Sequence, residues 1–194
     1  MKPTGRTTTP RGAVAAAPGS QVLPGELVLR DGTPALIWPL LPTDGEALRE
    51  GFRRLSGYSR RRRFLGVLSQ LDDSMIRRLA GSVDGAHHIA LVLIVLPPDG
   101  DEGPVGVARL LQYSDDLATA GIAVTVADDW QGHGVGTALV SALLERRPAA
   151  VTRLRTVVDA GNRVSLALLA GAGRLSSHPD SPGALDVTVE LAAA

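Results

Sequence analysis

Three glycines at alternate positions, Gly132, Gly134 and Gly136, separate a stretch patterned as a strand from a stretch patterned as a helix. Upstream, Ile122, Ala123, Val124, Thr125 and Val126 alternate β-branched and small residues as a half-buried strand does. Downstream, Val135, Leu139, Ala142 and Leu143 recur at helical spacing, Val140 and Leu144 widen the apolar face, and Pro148 forbids continuation. Glycine lets backbone approach a ligand closely. The first N–H groups of a helix lack internal partners and lie at the positive end of its dipole. The junction is therefore an anion site suited to phosphate or pyrophosphate.

A dinucleotide fingerprint, G-x-G-x-x-G, would follow its strand directly and lead into a further βαβ half. Here Thr137 stands where the third glycine belongs, residues 127–131 intervene, and too little chain remains. The 194 residues allow one domain with a sizeable core, and 20 basic against 20 acidic side chains argue against nucleic acid or an anionic membrane as the main partner. No apolar run is long enough to span a bilayer. The chain has no cysteine, so an acyl-cysteine intermediate is excluded and any acyl transfer is direct or uses another nucleophile.

Residues 1–25 are rich in Thr, Pro, Ala and Gly, lack acidic residues and show no periodicity, which predicts a disordered N-terminal tail before a domain over 26–194. That tail holds neither an amphipathic transit helix nor a secretory apolar core, so a cytoplasmic location is expected. Leu27-Val28-Leu29-Arg30 and Ala35-Leu36-Ile37-Trp38 predict a hairpin closed by a two-residue Asp31-Gly32 turn. Thr43 or Asp44 is positioned to cap a helix with Ala47, Leu48, Phe52 and Leu55 on its apolar face. Its continuation carries Arg53, Arg54 and Arg60 to Arg63, which fit either a solvated basic face or contact with a phosphate or acceptor.

A second helix is predicted over 71–79, and the apolar run 89–96 reads as a central strand covered on both faces. Residues 97–100 turn the chain into a strand over 105–111. A strand over 154–158, a helix over 162–172 and an alternating strand over 186–191 complete an α/β chain with a mixed sheet. His87 and His88 read as loop residues, and with no third partner at ligand spacing no metal site is expected.

Gln131-x-x-Gly134-x-Gly136, at the right distance after Val126, resembles motif A of the GNAT superfamily of N-acetyltransferases, and the order of elements agrees. The resemblance implies a central, mostly antiparallel sheet, splayed at the acyl-CoA site and flanked by helices. It implies that Gln131, Gly132, His133, Gly134, Val135, Gly136 and Thr137 hold the pyrophosphate of acetyl-CoA. Val124, Thr125 and Val126 would line the pantetheine arm, with the Val124 backbone as oxyanion donor. Asn162, followed by Ser165 and Gly173, resembles motif B, whose asparagine amide contacts that arm; Asn is also a preferred N-cap, and the two roles are compatible.

The likeness runs from about residue 27 to residue 191. It is greater to the Pat-like protein lysine acetyltransferases, as in Leu29-Arg30-Asp31-Gly32-Thr33-Pro34, Ser59-Arg60-x-Arg62-Arg63-Phe64 and Val105-Gly106-Val107-Ala108-Arg109. What it implies is acetyl transfer to a primary amine, a protein lysine or a small molecule; a homodimer is compatible with it. Deprotonating a lysine of pKa ~10.4 at pH 7 costs on the order of 4.6 kcal/mol, so a base is wanted. The subgroup's glutamate corresponds to Gly121, its occasional thiolate-protonating tyrosine to Leu169, and the aromatic after the motif B glycine to Arg174. Two functions follow: an acetyltransferase that borrows a base from Asp115, Asp116, Tyr113 or a water chain, and an acyl-CoA-binding sensor or regulatory protein.

Overall fold

A computed structural model describes residues 25–65, 68–96 and 103–192. The elements in order are β1 (Gly25–Val28), β2 (Pro34–Pro39), α1 (Gly45–Arg54), α2 (Gly57–Phe64), α3 (Asp73–Ile76), β3 (His88–Val95), β4 (Gly103–Gln112) and β5 (Thr119–Val126). Then follow α4 (Val135–Glu145), β6 (Arg153–Asp159), α5 (Arg163–Ala170), β7 (Gly173–Ser181) and β8 (Ala184–Leu191). The predicted tail (apart from Gly25, which opens β1) and the predicted turn at 97–100 lie outside the described residues. Among the described residues no helix is long and apolar enough to cross a membrane.

The strands form one sheet in the order β1-β2-β3-β4-β5-β6-β8-β7, antiparallel throughout except between β5 and β6. This is the mixed, mostly antiparallel sheet expected. β3 is buried over most of its length, because helices cover both faces of its Val-, Ile- and Leu-rich run. α4 packs its Leu139 and Leu143 on β3, β4 and β5, and the main core gathers there. α1, α2 and α3 cover the opposite face with two smaller clusters, one around Leu40, Ala80 and Ala90 and one around Phe52, Leu55 and Leu71.

Several local expectations need correction. The β1–β2 ladder ends at Val28 opposite Pro34, so residues 29–33 form a longer loop in place of a two-residue turn. The buried Leu29 donates to the Thr33 carbonyl, the Asp31 carboxylate takes the Thr33 N–H, and Gly32 supplies a φ of 90°. Neither Thr43 nor Asp44 caps α1 through its side chain: Asp44 occupies the N-cap position, but its carboxylate accepts the Leu41 N–H. Ala47 is exposed, so the apolar face is narrower than expected.

The predicted single helix through the arginines is two helices. Leu55 turns extended, and Ser56 caps α2 by accepting the Ser59 N–H at 3.1 Å. The helix expected over 71–79 is a short α3, capped by Asp72, that widens into a π turn at Arg77–Gly81. His88 is a buried strand residue held through Nδ1 by Ser82, whereas His87 lies in an exposed loop. β7 was not foreseen. Its side chains are mostly polar and exposed, since among the described residues it is the edge strand and pairs only with β8.

Leu139 is completely buried and Val164 is 70 % exposed, which sets a direct comparison. Leu139→Ala should cost about 2–5 kcal/mol in denaturant unfolding, and Val164→Ala should stay within about 0.5 kcal/mol.

Candidate active site

The backbone of β5 sets the site. Ala127 donates to Val105 and Tyr113 to Thr119, which fixes the parity of the β4–β5 ladder. Thr125, Ala123 and Gly121 therefore bond to β4, while Val126, Val124 and Ile122 turn their N–H and C=O groups towards β6. β6 accompanies β5 only as far as Gly121 opposite Arg155. Beyond that pair the strands part, and Val124 and Val126 present backbone groups to a groove of about 470 Å³.

One end of the groove is the N-terminus of α4. Gly132 and Gly134 hold φ angles of 86° and 94°, a region that side chains seldom adopt, and so bring the loop round to the helix. Gly134 is the N-cap and has no capping side chain; the first helical bond there runs from Ala138 to Gly134, leaving the Val135, Gly136 and Thr137 N–H groups free of helical partners. Gln131, Gly132, Gly134, Val135, Gly136 and Thr137 all line the groove, as do Val124, Thr125 and Val126. Asn162 and Ser165 form part of the far wall, where the Asn162 side chain caps α5 by accepting the Ser165 N–H at 3.2 Å.

His133 stands apart from the other loop residues, turned away from the groove to bind Asp31 at 2.5 Å and tilt against Trp130. Arg30 donates its N–H to the His133 carbonyl, so the β1–β2 loop clasps the glycine loop. The His133 contact, with help from the Thr33 N–H, pulls the Asp31 carboxyl down to about 2. Asp128 ties the same loop to α2: it accepts from the Ser56 N–H and from the hydroxyls of Ser56 and Ser59. The Gln131 amide is spent within this cluster, on Ser59, Asp128 and the Val126 carbonyl.

Linear reading missed Arg30, Tyr58 and Trp130 as groove residues. Arg30 meets the glycine loop from a segment far away in sequence, through the His133 carbonyl, whereas Tyr58 and Trp130 stack locally against Arg62 and His133; only the charge of Arg30 hinted at anion contact. Of the arginine cluster, Arg62 and Arg63 reach the groove. Arg62 lies over the Tyr58 ring and donates to the Gly161 carbonyl at 2.8 Å, carrying α2 across from β5 to the loop after β6. Arg63 donates to the Thr125 hydroxyl at 2.9 Å.

No carboxylate lines the groove among the described residues. The Asp116 carboxylate holds the Thr119 hydroxyl and the Ala118 N–H and faces Arg153, and Asp115 is exposed. Tyr113 does adjoin Gly121: a Cβ added there would lie 3.3 Å from the ring and 3.4 Å from the phenol oxygen.

A strand parted from its neighbour, leading to a glycine loop and a helix N-terminus whose first N–H groups have no helical partner, forms a groove with the chemistry to take an anion. The sequence model of the acetyltransferase (GNAT) family matches residues 61–173, and the chain belongs to that family. Acetyltransferase PA5475 of Pseudomonas aeruginosa is 32% identical over 136 residues, 70% of this chain and 72% of that protein. Acetyltransferase Pat of Mycolicibacterium smegmatis is 31% identical over 124 residues, 63% of this chain but 35% of that longer protein. Among solved structures, the GNAT domain of S. lividans PAT superposes with a TM-score of 0.70 at 20% identity, over 87% of this chain and 97% of that one. A cAMP-binding acyltransferase from Mycobacterium smegmatis gives a TM-score of 0.58 at 22% identity; 88% of this chain is covered, and the match spans 48% of that protein.

The clasp should be acid-labile. Asp31 titrates lower in the folded chain than in the unfolded one, so its ionised form stabilises the fold above about pH 4 and that contribution is lost as the pH falls towards 2. Asp31→Asn should lack this portion of the acid destabilisation when melting temperature is followed between pH 5 and 2. Parallel wild-type and mutant curves would contradict the clasp.

Proposed function

We propose that this chain transfers an acetyl group from acetyl-CoA directly to a primary amine, on a protein lysine or a small molecule. The observation that carries the proposal is the open edge of β5, which leads from unpaired backbone N–H groups to the N-terminus of α4. Bound acetyl-CoA supplies a thioester carbonyl activated towards an amine. The N–H groups of the glycine loop would hold the pyrophosphate, with Arg30 and Arg62 adding positive charge along the same groove. The Val124 N–H faces the gap and would donate to the oxyanion as it develops. Val126 and the Asn162 wall would flank the pantetheine arm.

The proton of the amine is the open step. Tyr113 occupies the volume beside Gly121, and a water relay past its hydroxyl is the route we assign. The same glycine supports a second reading, an acyl-CoA-binding regulatory protein without turnover, because no carboxylate lines the groove among the described residues. Thiol release in the presence of a panel of amines and lysine peptides separates the two readings, since both predict binding and only one predicts turnover.

Gly134→Asp would set a carboxylate among the N–H groups of the loop at a φ that Asp tolerates better than most residues. Calorimetry should show acetyl-CoA affinity lowered by about tenfold or more, about 1.4 kcal/mol; equal affinity would refute the site. Gly121→Glu tests the base. Its Cβ crowds Tyr113, so it is paired with Tyr113→Ala to make room. On a lysine peptide the paired variant should gain up to ~10²-fold over Tyr113→Ala alone, the lower end of what a positioned base supplies. No gain with acetyl-CoA affinity intact would favour the regulatory reading.

A further inference from the structure

The face of the sheet opposite α4 is incompletely filled. Between α1 and strands β2, β3 and β4 lies a cavity of about 620 Å³, within the usual range for a small-molecule site. Its walls are apolar for most of their length, with Leu48, Phe52 and Leu55 from the helical side and Trp38, Val92 and Val107 from the sheet. At the end nearest the groove the lining changes to Arg63, Arg109 and Thr125. Arg63 and Thr125 line both spaces, so the cavity adjoins the groove at the stretch of β5 that carries Val124.

The two arginines, both half-buried, lack anionic partners. Among the described residues neither forms an ion pair. Arg63 has the Thr125 hydroxyl and the Phe64 ring, and the Arg109 side chain has no hydrogen bond among the described residues. The other charged groups of the lining are engaged elsewhere: Asp44 holds the Leu41 N–H and Arg54 pairs with Glu50. Burial lowers the pKa of both arginines, that of Arg109 to about 10, and the charge of Arg63 adds to the effect on Arg109. Nearby, His88 is buried with no partner for Nε2 among the described residues; burial holds its pKa low, and the charge of Arg109 contributes. Two half-buried cations beside an apolar cavity, neither with an acidic partner among the described residues, are suited to an anion supplied from outside.

We propose that Arg63 and Arg109 bind the carboxylate of an amphipathic ligand whose apolar body fills this cavity. On the acetyl-transfer reading above, on which this part rests, that ligand is the acceptor, an apolar amino acid whose amine is directed at the adjoining thioester. Transfer then joins the amine nitrogen to the acetyl carbon, breaks the carbon–sulfur bond and passes the amine proton to the departing thiolate, giving an N-acyl amino acid and free CoA.

Trp38 lines the cavity and Trp130 the groove, and the chain has 2 tryptophans, so Trp130→Phe leaves Trp38 as the only indole reporter. Fluorescence titration of that protein should show saturable binding of octanoate about tenfold tighter than that of octanol or octylamine. Arg109→Met should abolish the preference while leaving the melting temperature unchanged or raised, and Arg109→Lys should keep part of it. Leu48→Trp, in a separate calorimetric titration, should block octanoate by filling the cavity without touching either arginine. In thiol release, phenylalanine should exceed phenylethylamine by about tenfold in kcat/KM. Equal binding of the three octyl compounds to the wild-type arginines would overturn the site even if lysine peptides are acetylated. Octanoate binding with no turnover of any amine would uphold the site and overturn the acetyl-transfer reading instead. Preference for an acyl donor bearing its own terminal carboxylate, with phenylalanine inert, would overturn the acceptor assignment.

Discussion

The parting of β5 from β6 after Gly121 and Arg155 is the constraint on which the rest of the structure depends. Each strand is fully paired on its other side, β5 with β4 and β6 with β8, so the sheet stays whole while one edge within it is left open. An interior strand edge is costly unless its polar groups find partners. A ligand with amide groups of its own supplies them, and the pantetheine arm of a CoA ester has that chemistry. The open edge is thus both a defect of the free fold and the reason for the groove.

Holding such a groove in shape falls to contacts across long sequence separations. The Asp31–His133 pair and the Arg30 N–H fix the outer side of the glycine loop, and Asp128 fixes its start to α2. Arg62 then carries α2 to Gly161 on the far side. These bonds are exposed and screened by water, so their effect on global stability is modest. The effect on position is larger, because an anion site made of backbone N–H groups works only if the loop is ordered before the ligand arrives. Electrostatics agree with this reading: the groove is lined by Arg30, Arg62 and Arg63 and, among the described residues, by no acid.

How much was legible in the sequence follows from the range of the forces involved. The glycine loop, α4, the long apolar β3 and the Asn162 cap are local in origin, set by backbone freedom, periodicity and a side chain reaching three residues along. The break between α1 and α2 was hidden because the Ser56 cap lies inside a run whose arginines and apolar residues are compatible with helix. β7 was hidden because an edge strand exposed to water carries little apolar alternation. Arg30, His133 and the adjoining Arg63–Arg109 end of the second cavity could not be seen in linear order, since their roles are defined by elements paired through the sheet. His133 shows the limit of a motif: it belongs to the loop and yet serves the clasp.

Gly121 separates the question of binding from that of turnover, and binding is the more basic claim. The most direct test is residue-resolved amide hydrogen exchange along β5, with and without acetyl-CoA. In the free protein Ala123 and Thr125, bonded to β4, should be protected, and Val124 and Val126 should exchange far faster. Acetyl-CoA should slow Val124 and Val126 selectively. Equal protection of all four amides in the free protein, or exchange at Val124 and Val126 unchanged by saturating acetyl-CoA, would contradict the account.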